Sequence, residues 1–233
     1  MTKGFSFVVL CSAVLVAGCK SHLTADINVS DLTSHTIKNT TATLYAEVTS
    51  CSSYEDSRNP SSSLIEAQKI IPSLFANAKF ESCFQKKMDS FAQFSIPLMV
   101  GSMTKDEDFK PEVIKIFSQV DNELLLGVHM PKAIKTNFEK HNKQDFQVNA
   151  ITPESVFITI GLVNDTNKNL PFDISEGFLD GKPNPPAGSQ LSLPPKGRVE
   201  IRLSNVDTAR LLLTKEQGGE GIVILGYVPR EAK

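Results

Sequence analysis

The chain has 233 residues, of which 40% are apolar and 21% charged, with 13 Gly, 13 Pro and 4 Cys. These proportions exclude wholesale disorder, a collagen-like repeat and a disulfide-dense miniprotein. Lys and Arg total 24 against 26 Asp and Glu, a net charge of −2, so there is no global positive field and no nucleic-acid partner is expected.

Lys3 is followed by an almost unbroken apolar run from Phe5 to Val16, too short to span about 30 Å of hydrocarbon and of the size of a signal-peptide core. The run ends in Leu15-Val16-Ala17-Gly18-Cys19, which resembles the lipobox of bacterial lipoproteins. The resemblance implies that residues 1–18 are removed as a signal peptide and that Cys19 becomes the lipidated first residue. It would carry a diacylglycerol on its sulfur and an acyl chain on its amine. Each buried methylene contributes about 0.8 kcal/mol, one chain alone holds marginally, and several together hold permanently. The membrane is therefore the first expected partner. Lys20 follows Cys19, and by the same resemblance a residue other than Asp there directs export to the periplasmic face of the outer membrane.

Cys11 falls in the removed segment and Cys19 is the lipid carrier, which leaves Cys51 and Cys83 in the mature body. A disulfide between them is expected in an oxidising periplasm. Closing this loop is worth about 3.7 kcal/mol in the chain-entropy treatment. The alternatives, two buried thiols or a redox couple, lack a Cys-x-x-Cys spacing.

In chain order, Leu23, Ala25, Ile27 and Val29 alternate with Thr24, Asp26 and Asn28, and Ala42, Leu44, Ala46 and Val48 alternate with Thr43, Tyr45 and Glu47. This is the period of half-buried strands. A polar stretch from Ser52 to Pro60 leads to Ser63-Leu64-Ile65-Glu66, a capping-box spacing that predicts a helix start. Pro72 should kink or divide that helix. Phe80 to Val100 reads as extended chain with Phe91, Phe94, Ile96, Leu98 and Val100 as core candidates, and with Cys83 placed so that the disulfide staples helix to sheet. Lys105-Asp106-Glu107-Asp108 is a charged loop without the glycine and distal glutamate of a calcium loop. Val113–Phe117 and Leu124–Met130 read as a hairpin. Pro131 then opens a second helix, with Ile134 and Phe138 inward, Lys132, Lys135 and Lys140 outward, and a Glu139–Lys143 pair. Residues 19–144 thus form an expected α+β lobe, an antiparallel sheet with two helices.

From residue 145 the texture changes to strands and turns: Phe146–Ala150, Ser155–Val163, Leu170–Leu179, Gln190–Leu193, Arg198–Leu203 and Gly221–Val228. One short helix interrupts near Val206–Leu213, capped by Ser204 or Asn205. Asn164–Asn169 and Asp180-Gly181 are expected hairpin turns, and Pro183, Pro185, Pro186, Pro194 and Pro195 stiffen the connection between Gly181 and Gly197. This density of strands predicts a second lobe, residues 145–233, built as an immunoglobulin-like β-sandwich.

The lipobox, the strand from Leu23 to Leu32, the segment Cys51-Ser52-Ser53-Tyr54-Glu55-Asp56-Ser57-Arg58 and the block from Ala67 to Cys83 together resemble an uncharacterised lipoprotein family of enterobacteria and their phages or prophages. The resemblance implies an envelope setting, and for phage-encoded members alteration of the host surface. It carries over no activity.

Catalytic signatures are sparse. His22, His35, His129 and His141 are scattered, with no His-Glu-x-x-His helix, no Gly-x-Ser-x-Gly elbow and no phosphate-binding loop, so no metal, cofactor or catalytic residue is expected. His129 lies opposite Leu126 and Val128 as a strand-face histidine, and Gly218-Gly219-Glu220-Gly221 reads as a turn before the last strand. Glu47, Glu81, Asp89 and Asp173 are the carboxylates that a sugar-cleaving site would have to pair. Tyr54 and Arg58 are residue types that anchor interfaces and form the candidate interaction loop. The expectation is a non-enzymatic, lipid-anchored binding module for an outer-membrane or other envelope protein. The alternatives are a carrier with a lipid-sized cavity under the first helix, or a cell-wall hydrolase.

Overall fold

The computed structural model describes residues 20–102, 110–120, 124–144, 151–175, 177–184, 189–215, 219 and 221–228. The expected signal peptide and Cys19, the charged loop at 105–108 and the strand at 146–150 lie outside the described residues.

Two long strands, β1 (Ser21–Asn28) and β2 (Lys38–Val48), pair antiparallel as their alternation predicts. A five-residue helix, α1 (Val29–Thr33), separates them. The next helix, α2 (Ser62–Leu74), begins earlier than the capping-box spacing suggests. Ser61 is its cap and accepts from the Leu64 amide, while the Ser63 hydroxyl bonds the Thr49 amide and hydroxyl instead. Pro72 does not divide α2. It stands in the final turn, where the one backbone bond it forfeits removes only the end of the ladder.

Phe80 to Val100 is not one extended segment but a hairpin, β3 (Lys79–Lys86) and β4 (Asp89–Ser102), turning at Lys87-Met88. Even-numbered residues of β4 from Ala92 to Leu98 face the core, so Phe94, Ile96 and Leu98 are buried as expected, with Val100 beyond them. Phe91 has the other parity and is half-exposed on the opposite face. β5 (Ile114–Val120) and β6 (Leu124–His129) form the expected hairpin. Helix α3 (Lys132–Gln144) follows, with Ile134 and Phe138 buried and the Glu139–Lys143 pair made at 2.6 Å. Lys135, expected outside, is buried, its ammonium occupying the space a side chain on Gly221 would need.

The remaining strands are β7 (Val156–Val163), β8 (Leu170–Ile174), β9 (Phe178–Leu179), β10 (Lys182–Pro183), β11 (Ser189–Leu193), β12 (Arg198–Arg202) and β13 (Ile222–Val228). Helix α4 (Asn205–Leu212) is capped by Ser204, which accepts from the Asp207 amide. Asp180-Gly181 makes the expected two-residue turn between β9 and β10, with φ of 45° and 79°, the conformation that Asp-Gly hairpins favour.

These strands do not form a separate sandwich. All thirteen join one mixed sheet in the order β10-β9-β12-β7-β1-β2-β4-β5-β6-β13-β8-β11, with β3 on β4. β1 runs parallel to β7 over eight residue pairs, from Ser21–Val156 to Asn28–Val163, and β6 pairs with β13. The expected boundary at residue 144 is therefore crossed by two strand pairings. One apolar core runs from Leu23 to Leu225 through both halves. Nor is Asn164–Asn169 a hairpin turn, because β7 pairs with β1 and β12 whereas β8 pairs with β11 and β13. The turn carries the chain from one flank of the sheet to the other.

The sheet curls so that inner residues of distant strands meet. Leu23, Ala42, Ile116, Val128 and Ile158 line one void of about 10 Å³. A second, of about 20 Å³, lies beside Ser21 under Ile71, Phe75, Phe138 and Leu212, so α2, α3 and α4 close the curl at the end where β1 begins. Voids of this size hold about one water molecule. Among the described residues these two interior voids are too small for a lipid, while a larger pocket of about 340 Å³ lies between α3, residues 151–153 and the end of α4, lined by Phe138, Asn142, Ile151 and Leu212.

Candidate functional site

The outer face of the sheet on the β1 side should be polar by simple alternation, yet it carries a row of rings. Phe84 on β3, Phe91 on β4, Tyr45 on β2, His22 on β1 and Phe157 on β7 are all half-exposed and share that face. His22 stacks on Phe157 at 4.8 Å and 21° and meets Phe91 edge-on at 6.4 Å. Phe91 lies 6.0 Å from Phe84, which meets Tyr45 edge-on at 5.9 Å. On the same face beyond Phe157, the Arg202 guanidinium lies 4.3 Å above the Phe178 ring. The band crosses seven neighbouring strands, β3-β4-β2-β1-β7-β12-β9. Such ring pairs contribute about 0.5–1.5 kcal/mol each beyond their burial, which orders the row while leaving its surface open.

His22 sits at the centre of the band. Burial among the rings lowers its pKa from the ordinary value, and the nearby charges of Lys20, Arg202 and Lys86 push the same way against Glu47. The imidazole is thereby favoured in its neutral, stacking form.

The loop that holds Tyr54 and Arg58 follows β2, and it is tied to the sheet at Cys83, which stands opposite core-facing Ala92 and so has the other parity from Phe84 and Phe91. Cys51 and Cys83 are disulfide-bonded, with Cα atoms 5.6 Å apart, a separation usual for such bonds. The bond joins the loop after β2 to strand β3. The expected staple of helix to sheet is not what the bond makes; α2 is held to the loop by Ser61, whose amide donates to the Cys51 carbonyl at 3.3 Å and whose hydroxyl donates to the Ser50 carbonyl. Within the loop Arg58 donates from Nε and its own amide to Asp56 Oδ1, and from Nη2 to Oδ2 at 2.8 Å. That pairing holds the Asp56 carboxyl below its usual range and raises Arg58. Arg58 is thus a brace of the loop, its fork already occupied, while Tyr54 is fully exposed.

The carboxylates are dispersed along the sheet. Glu47 on β2 accepts from the Lys20 amide at 3.1 Å, whereas Asp173 on β8 lies five strands further along the sheet path. His129 is half-buried at the end of β6. Among the described residues no cluster of three or more His, Cys, Asp or Glu gathers to hold a metal ion, and no helix is long and apolar enough to cross a membrane.

Sequence reasoning singled out Tyr54, Arg58 and the two cysteines but missed the band. The signal was present: Tyr45, His22 and Phe157 each occupy the polar-parity position of a strand whose other parity is aliphatic. Recognising the row needed the register that aligns the strands.

No curated protein and no solved structure matches this chain. A family described as a domain of unknown function (DUF7424) matches residues 21–223, from the first residue of β1 into β13. The match covers β1 to β12 and the first two residues of β13, and the chain belongs to this family of unknown function.

Proposed function

We propose that this protein is a lipid-anchored protein of the bacterial envelope, held by acylated Cys19 at the periplasmic face of the outer membrane. There it acts as a non-enzymatic binding module whose contact surface is the aromatic band. The observation that carries the reading is the row of half-exposed rings from Phe84 to Phe157. Aromatic side chains offer large, rigid contact area at low entropic cost, and interfaces are enriched in them. The Cys51–Cys83 disulfide supports an oxidising compartment. The lipobox resemblance supports the anchor and, with the phage-associated family pattern, a partner in the host envelope such as an outer-membrane protein. The carrier alternative called for a lipid-sized cavity under the first helix, and the void beneath α2 is about 20 Å³.

The test is photocrosslinking in intact cells. A benzophenone side chain at position 91 or 157 should give one discrete adduct with an envelope protein, while the same group at Glu200, half-exposed on the same face towards the other end of the strands, should not. Equal labelling from all three positions, or none from any, would refute the band as the contact surface.

A further inference from the structure

The β3–β4 hairpin ends in Lys86-Lys87-Met88-Asp89, and Met88 is 93% exposed. Among the described residues nothing covers this unbranched apolar side chain, bared at a hairpin tip beside two lysines. Lys87 also holds the left-handed conformation, φ 59°, where glycine or asparagine is the easier choice.

The register shows where this tip points. The Glu47 amide donates to the Lys20 carbonyl at 2.8 Å, Glu47 stands opposite Phe91, and Phe91 opposite Phe84. Lys20, Glu47, Phe91 and Phe84 are therefore level across four neighbouring strands. From that level β1 runs back toward Cys19, one residue before Lys20, and β4 runs back in the same direction to Met88, three residues before Phe91. At about 3.3 Å per residue the tip reaches roughly 10 Å past Lys20 toward the anchor side. Cys19, one covalent step of about 3.8 Å away, reaches no further. A chain tethered to a bilayer at Cys19 thus has this tip on its membrane side, at the same end of the sheet as the helices that close the curl.

We infer that the Lys86-Lys87-Met88 tip is a second membrane contact, with Met88 entering the interface of an anionic phospholipid leaflet and Lys86, Lys87 and Lys20 facing its headgroups. The inference rests on the anchor reading for its place in the cell. An exposed apolar residue flanked by lysines suits such a surface, because the apolar part buries in the acyl boundary while the ammonium groups stay with the phosphates. Asp89 is the acidic neighbour at the tip itself; Glu47 is engaged with the Lys20 amide and Asp56 with Arg58, while Glu55 and Glu154 lie toward the same end of the strands. Lys20 and Lys86 both lie near enough to His22 to act on its protonation, so the lysines flank the band. Two contacts would fix the orientation of the body and hold the aromatic band beside the leaflet, where a membrane-embedded partner presents its periplasmic edge.

The chain contains no tryptophan, so Met88→Trp places a single reporter at the tip. The mature chain from Cys19 is tethered through that thiol to a maleimide phospholipid in vesicles of phosphatidylethanolamine and phosphatidylglycerol. The contact is then read whether or not cells acylate Cys19, which the intact mass of membrane-extracted protein reports separately. The expected result is blue-shifted emission, quenched by brominated phospholipid several-fold more than from Asn167→Trp at the far end. The pair Lys86→Gln and Lys87→Asn, or vesicles of phosphatidylcholine alone, should reduce that quenching. Emission at position 88 that matches the protein without vesicles, or quenching equal at 88 and 167, would overturn the contact.

Discussion

Asn164 is fully buried in the turn that crosses between the two flanks of the sheet. Its amide nitrogen donates to the Lys168 and Leu193 carbonyls at 2.8 Å each, and its oxygen accepts from the Thr166 amide and hydroxyl. Removing it takes the buried Leu193 carbonyl's side-chain donor away, whereas the exposed Lys168 carbonyl keeps the Thr166 hydroxyl, and an unsatisfied buried acceptor costs about 1–3 kcal/mol. Asn164→Ala should therefore destabilise the protein by about 1–3 kcal/mol in urea unfolding. Gly127 on β6 carries the Phe117 ring directly over its Cα, 2.4 Å from where a Cβ would sit. Gly127→Ala should cost about 1–3 kcal/mol by forcing that buried ring aside. His22 should make the protein acid-sensitive. Because its pKa is lowered in the folded state, the unfolded chain takes up the proton first as pH falls below about 6.5. Stability is then lost progressively until pH passes the folded-state value. His22→Gln should flatten the dependence of the urea midpoint on pH across that window; an unchanged slope would show that His22 does not carry it. None of these roles is legible in the sequence, since each depends on which side chains the fold sets against one another: Leu193 against Asn164, the Phe117 ring over Gly127 and Phe157 against His22.

Elements were more legible than single residues. The alternation of Leu23-Ala25-Ile27 and Ala42-Leu44-Ala46-Val48 places β1 and β2 correctly, because a strand with one buried face writes its period into the sequence. The β3–β4 hairpin was not legible, since its turn is Lys87-Met88 and lacks the glycine or asparagine that marks such turns. The disulfide pair could be read by elimination, but what it joins could not. Its bond ties the Ser50–Pro60 loop to edge strand β3, which has only β4 beside it. Reduction, or replacement of both cysteines by serine, should lower stability by about 2–4 kcal/mol. It should also raise hydrogen exchange first in β3 and the Tyr54 loop, the segments whose attachment it supplies.

At the scale of the molecule, the pairing of β1 with β7 and of β6 with β13 merges the two halves that local texture separates. Composition changes near residue 145 because the later segment is richer in short strands, and composition says nothing of which strands pair. With one core, unfolding should be a single cooperative transition, and residues 151–233 expressed alone should fail to fold, having lost β1 from one side of β7 and β6 from one side of β13. Two resolved transitions would restore the two-lobe division. The functional account joins this single body to an anchor at Cys19 and turns its aromatic face toward an envelope partner. Its most direct test is the intact mass of the protein extracted from membranes, measured before and after reductant. The account predicts a chain beginning at Cys19, heavier than its sequence by a diacylglycerol and an acyl chain, that gains the mass of two hydrogens on reduction. A species carrying residues 1–18, free of acyl groups and with its mass unchanged by reductant, would contradict it.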